Sequence, residues 1–420
     1  MPPLLMTRVR QKLYDRRLGD VEAHVVRQVM GSSLAGRIRT GSRIAITAGS
    51  RGIANVDRIV AATAEAVRRL GGEPFVVPAM GSHGGGTAEG QVEVLASSGI
   101  TQESCRCPIL ATMDVVQLGT TPGGLPVYLD RHAAEADGIV VVNRVKMHTD
   151  YRSDVESGLL KMMTIGLGKK RQADLVHSYG ALGLVRHVPE VARVMLAGDR
   201  IALGLAILEN GHDETADVVA LEPEEIEERE RQLLQEVKRR SPRLPFDDLD
   251  VLVVDRIGKD ISGTGMDTNV IGRIRVPGVA EPESPRVRTL VALDLTEASH
   301  GNAIGLGLAD IVSQRLVDKL DREATYVNGI TSGFLDRVKI PVTLATDEMA
   351  IQTALSRLPP EAMASPRLVR IRDTLRIAEF AVSEALLAEV RDRGLEVVGE
   401  AEPLEFDEDG ALAPLDLKAG

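Results

Sequence analysis

The stretch Arg43-Ile44-Ala45-Ile46-Thr47-Ala48-Gly49-Ser50-Arg51-Gly52 decides the fold. Its first five residues are β-prone and read as a short buried strand. The next five are small or polar, with two glycines, and read as a loop. Apolar residues at helical spacing then run from about Val56 to Leu70 and stop at Gly71-Gly72, where glycine marks the end of a helix. Strand, polar loop and helix in that order form one unit of a mostly parallel sheet. The unit recurs. Pro74–Pro78 is a second strand that empties into Gly81-Ser82-His83-Gly84-Gly85-Gly86, after which Thr87 stands as the N-cap of a helix. Gly138–Asn143 is a third strand, running into Arg144-Val145-Lys146-Met147-His148. Ligands of such sheets sit beyond the carboxyl ends of the strands, and all three polar loops lie there.

Further on, residues 221–241 turn strongly charged and read as a helix bridging two domains, broken off at Pro242 and Pro245. Leu249–Asp255 opens a second α/β unit with the loop Gly258–Gly265 directly after it. The apolar stretch Thr289–Leu295 and a helix from about Gly305 to Leu320 continue that unit. The tail from Leu395 reads as a closing strand pair open to either domain. The expected fold class is therefore α/β in two domains, residues 1–245 and 246–420. Each has a mostly parallel sheet flanked by helices, with the active site in the cleft between them.

Composition narrows the function. A chain of 420 residues exceeds what one core usually supports. It has no Trp and only five Phe and five Tyr, too few for the stacking platforms of single-strand nucleic-acid binding. Its net charge of −11 has the wrong sign for a phosphate-backbone binder. A local cluster of Arg and His can still receive a small anion. The opening Met-Pro-Pro-Leu-Leu-Met-Thr-Arg lacks a secretory pattern and no run has membrane-spanning length, so a cytoplasmic location without membrane contact is expected. Cys105 and Cys107, one residue apart, read as ordinary side chains. G-x-G-x-x-G, P-loop and H-E-x-x-H patterns are absent.

Of the eight histidines, His83, His148 and His177 lie in or beside the candidate loops. Glycines around His83 let a ligand approach the backbone closely. Residues 143–180 are the densest in chemistry. Lys161 lies in Ser157-Gly158-Leu159-Leu160-Lys161-Met162-Met163, an apolar setting that suits a desolvated amine serving as covalent anchor. Lys169-Lys170-Arg171 reads as an exposed patch, solvated or facing phosphate. His300-Gly301-Asn302 is a weaker mark in the second domain.

Ser157-Gly158-Leu159-Leu160-Lys161, with His177 sixteen positions on, resembles the nickel-dependent lactate racemase family. The resemblance implies a nickel-pincer nucleotide (pyridinium-3,5-bisthiocarboxylic acid mononucleotide nickel) held covalently on Lys161, with His177 as metal ligand. It implies His83, in Gly81-Ser82-His83, and His148 as the acid/base pair. It makes Arg51 a substrate-carboxylate ligand, with Lys259 and Arg275 as substrate contacts from the second domain. The implied activity is that of an isomerase: racemisation or epimerisation of a 2-hydroxy acid by reversible hydride transfer. Ala48, Gly52 and Gly84 stand where the family has Asp, Pro and Arg, and three extra residues separate His148 from the lysine. These departures point to a larger or more polar hydroxy acid than lactate. The implied partners are that acid and the cofactor-synthesis enzymes, and a homo-oligomer is compatible. Two other readings stay open: a non-catalytic protein that binds or carries the same cofactor, and a nicotinamide-dependent dehydrogenase, for which the dinucleotide fingerprint is missing.

Overall fold

The structure, a computed structural model, describes residues 4–50 and 52–415. The chain forms two compact units, residues 14–241 and residues 1–13 with 242–420. In the first, five strands are ordered Glu73–Pro78, Arg43–Ala48, Gly138–Arg144, Ile201–Glu209 and Thr215–Leu221. The first four run parallel and the last is antiparallel. Val140, Val142, Leu203, Leu205 and Ile207 enter a core completed by helices Val21–Met30 and Val56–Arg69. The second helix forms where apolar spacing demands it, burying Ile59, Val60, Ala64 and Val67, and the chain leaves it through Gly71 at φ 92°. Each such Val or Ile contributes about 1.5–3 kcal/mol on burial. Segments Leu159–His177 and Gly180–Leu196 supply further buried apolar side chains. With helices on both faces, strand Gly138–Arg144 is buried along its first five residues, which explains its unbroken apolar run.

The second unit is built on an eight-stranded sheet ordered Val342–Leu344, Ile311–Ser313, Arg286–Ala292, Asp248–Val254, Leu368–Ile371, Glu379–Ser383, Leu5–Arg10 and Glu396–Pro403. The first five strands pair in parallel and the last three antiparallel. Along Asp248–Val254, Leu252 and Val254 enter one core cluster and Val251 and Val253 another.

Two expectations change, and the open placement of the tail is decided. Residues 5–10, assigned by chain proximity to the first domain, pair instead with Glu379–Ser383 and Glu396–Pro403 of the second unit. The tail strand accordingly stays in that unit. The helix expected over 305–320 is broken into a short 3-10 turn at Leu306–Leu308, strand Ile311–Ser313 and helix Gln314–Asp318. Gly305 sits at φ 97° with a virtual Cβ 1.9 Å from the Thr264 carbonyl, a left-handed, tightly packed site that no continuous helix can occupy. No helix among the described residues is long and apolar enough to cross a membrane.

Candidate active site

The parallel strands of the first unit end at Ala48, Pro78 and Arg144, and the loops beyond them carry Ser50, His83 and His148. The backbone N–H of Ala79 donates to the Ala48 carbonyl at 2.8 Å, which ties the first two loops together. Ser50 Oγ then contacts His83 Nδ1. His83 is exposed, on a loop that ends where Thr87 caps helix Ala88–Ser97 by accepting the Gly90 N–H at 3.1 Å. Gly84, Gly85 and Gly86 all take φ near +65°. Gly84 has no room for a side chain, since a Cβ would lie 2.6 Å from the Gly90 backbone.

His148 is held from several directions. Its ring stacks on buried Tyr151 with centroids 4.4 Å apart. Its backbone N–H donates to the fully buried Glu156 carboxylate at 2.7 Å, and Lys238 pairs with that carboxylate at 2.7 Å. The Asp150 backbone N–H approaches Nδ1 at 3.1 Å and orients the ring so that Nε2 faces the site. That nitrogen contacts Lys161 Nζ.

Lys161 closes a short helical turn, Leu159–Lys161, and the chain continues through a π-helical stretch, Met162–Leu167, into helix Lys169–His177. The turn is anchored from helix Ile226–Arg240. Glu230, buried in that helix, accepts the Leu160 N–H at 3.0 Å. Gly158 passes so close that a Cβ would lie 2.4 Å from the Glu230 carboxylate. Asn143 donates its amide to the Gly158 carbonyl at 2.7 Å. Burial pushes Glu230 up to about 7.

His177 ends its helix and is open to solvent, yet protein atoms crowd its ring. That crowding first, and then the Lys161 ammonium, hold its pKa below the ordinary histidine value. At neutral pH the imidazole is thus neutral and offers a lone pair to a metal. No group of three or more His, Cys, Asp or Glu side chains fit to hold a metal occurs among the described residues. An amine for covalent attachment stands nearby in Lys161.

Lys161, His148 and His177 are thus brought together, and His83 lies on the loop after the edge strand Glu73–Pro78. Arg51 lies outside the described residues. Lys259 and Arg275 belong to the other unit and engage in separate local contacts. Lys259 Nζ donates to the Gly263 carbonyl at 2.8 Å and to Asn328 Oδ1 at 3.0 Å. Arg275 donates to the Gly307 carbonyl at 2.7 Å and pairs with Asp310 at 2.9 Å. Lys169, read from the sequence as exposed, is wholly buried, whereas Lys170 and Arg171 are exposed, as expected. Cys105 and Cys107 are free and buried, and burial pushes the Cys107 thiol up to about 11, leaving it unreactive.

Sequence reasoning missed Ser50, Asp150, Tyr151, Glu156 and Glu230. One signal was available: Ile226, Glu230, Leu233 and Leu234 share a helical stripe, and only one of them is charged.

An α/β protein that gathers an amine and imidazoles at the carboxyl ends of parallel strands is the class that fold and site define. Residues 21–179 match the lactate racemase N-terminal domain family. Two solved structures share the fold. One is the lactate racemase apoprotein from Thermoanaerobacterium thermosaccharolyticum, at 13% identity and a TM-score of 0.56, covering 87% of this chain and 94% of that one. The other is a protein from Thermotoga maritima at 12% identity and a TM-score of 0.52, covering 86% and 97%. Among curated proteins no sequence matches the chain.

Proposed function

We propose that the protein is an isomerase that racemises or epimerises a 2-hydroxy acid, using a nickel-pincer nucleotide attached to Lys161. The observation that carries this reading is the convergence of Lys161 with His148 and His177. An α C–H beside a hydroxyl is far too weakly acidic for an imidazole to deprotonate near pH 7. When bound, the cofactor supplies an electron-poor ring that accepts and returns hydride. The chain's own residues do the rest. Lys161 would hold the group, and the neutral His177 imidazole would offer a nitrogen to nickel. His148 and His83 move the hydroxyl proton, one for each enantiomer. Ser50 on His83 Nδ1, and Asp150 with Tyr151 on His148, fix the rings that do so. Arg51 grips the substrate carboxylate, with Lys259 and Arg275 as further substrate contacts. The cofactor and acid/base groups of this reading all belong to the unit of residues 14–241.

Intact-mass spectrometry of protein produced together with cofactor-making enzymes tests the proposal. An adduct on Lys161, nickel in equal amount and inversion of at least one hydroxy acid are expected. An unmodified mass under loading conditions sinks the cofactor assignment. An adduct without inversion of any acid in a broad panel leaves a carrier.

A further inference from the structure

Lys169 carries no exposed surface, although an isolated ammonium is among the costliest groups to bury. Burial acts on it in the expected direction, pulling its pKa down and pushing that of Asp130 up. Three acceptors surround it. The Pro78 carbonyl lies at 2.6 Å, Gln91 Oε1 at 2.8 Å and Asp130 Oδ2, also fully buried, at 3.2 Å. The ammonium makes hydrogen bonds to Pro78 and Gln91, and its charge faces Asp130 Oδ2, which receives no hydrogen bond. Asp130 is held in turn by the Ala133 N–H at 2.9 Å.

A buried ion pair of this kind adds little net stability over apolar side chains of the same volume, so its use lies in fixing geometry. What it fixes can be traced. Gln91, fully buried, has its oxygen occupied by Lys169. Its nitrogen donates to the carbonyls of Gly81 at 2.9 Å and of His83 at 3.3 Å. The loop that presents His83 is therefore gripped at Pro78 by Lys169, and at Gly81 and His83 by Gln91. Lys169 also opens the helix that ends at His177, with φ +53° at its own backbone. Gly81 packs against the intervening π-helical stretch, where a Cβ would lie 3.1 Å from Ile165.

From this we infer that Lys169 and Gln91 are positioning residues: a buried Asp130–Lys169–Gln91 relay that sets the His83 loop against the segment bearing Lys161 and His177. Its functional importance rests on the proposed role of His83, but the relay itself is testable without cofactor. Gln91→Glu separates its two halves. The glutamate still accepts from Lys169 yet cannot donate to Gly81 or His83, whereas Gln91→Leu loses both.

The experiment is NMR of 15N-histidine-labelled protein without cofactor, comparing wild type, Gln91→Glu and Gln91→Leu. Both variants should shift or broaden the His83 ring resonances while leaving those of His24 and His212 in place. In cofactor-loaded protein both should lower kcat about 10–100-fold, displace the acid or base limb of the kcat pH profile and leave the Lys161 adduct mass unchanged. His83 resonances identical to wild type in a folded Gln91→Glu protein would overturn the relay. Should both variants fail to fold, exchange of the Gln91 side-chain amide in the unaltered protein decides: slow exchange supports the relay and rapid exchange removes it. A perturbed His83 in protein that never acquires an adduct keeps the relay and removes the racemase reading.

Discussion

The two units end their parallel strands alike, in polar loops rich in glycine, but spend the polar side chains differently. In the second unit the loop after Asp248–Val254 closes on itself and its neighbours. Lys259 reaches Gly263 and Asn328, and Ser262 contacts Thr264 at 3.1 Å. Arg275 is likewise engaged with Gly307 and Asp310. In the first unit, groups from separate segments meet one another: Ser50 with His83, and His148 with Lys161. Contacts between loops occur in both units, since Lys259 meets Asn328 and Asp260 meets Thr296, and the first unit differs in gathering an amine with imidazoles. Polar composition alone does not distinguish the two.

Substitutions sharpen or break that contrast. The largest effect is expected for Lys161→Ala, which should fold normally by circular dichroism while losing the cofactor adduct and all turnover. An adduct of unchanged mass on this variant would place the anchor elsewhere. His148→Asn should retain the adduct yet lower kcat by about 10²–10⁴-fold, the usual contribution of a general acid/base. Activity within a factor of three of wild type would exclude the residue from proton transfer.

Glu230→Gln addresses the support beneath the anchor through pH. The folded protein favours protonated Glu230, whose pKa is pushed up to about 7 from the ordinary carboxyl value of 4.5. Its stabilisation is therefore whole below the unfolded pKa and is lost as pH rises through the folded one. The wild type should lose on the order of 3 kcal/mol from this group between about pH 4.5 and 7. Urea unfolding of the glutamine variant should lack that component of the slope, and parallel pH curves for the two proteins would contradict the burial. The smallest effect is expected in the second unit. Lys259→Met should raise KM by about threefold to tenfold, with kcat nearly constant, as lost uniform substrate binding does. A fall in kcat alone would give Lys259 a role in the chemical step.

The fold was legible where local chemistry decides it. Continuous apolar runs such as Val140–Val142 can only be strands covered on both faces, and Thr87 and Gly71 mark helix boundaries by their own stereochemistry. It was illegible where distant chain closes the structure. The partners of Leu5–Arg10 begin more than 350 residues away, and no local feature of those six residues names them. The misread helix at 305–320 failed because two glycines there answer to backbones elsewhere, Gly305 to Thr264 and Gly307 to Asp336. At the site, Lys161 and the histidines stood out by residue type and spacing. Their supports did not, because Tyr151, Glu156 and Glu230 acquire their roles only through burial. Gln91 left one trace: it shares a helical stripe with Leu95, where an apolar residue is the norm.

The π-helical stretch Met162–Leu167 sets the angular phase between anchor and ligand. Sixteen residues of regular α-helix would rotate the second position by roughly 160° from the first, close to the opposite side of the cylinder. Wider winding over 162–167 and the left-handed backbone of Lys169 reset that angle. Adding or deleting one residue between Lys161 and His177 would turn the imidazole by roughly 100°. The spacer is thus constrained in length more tightly than in composition.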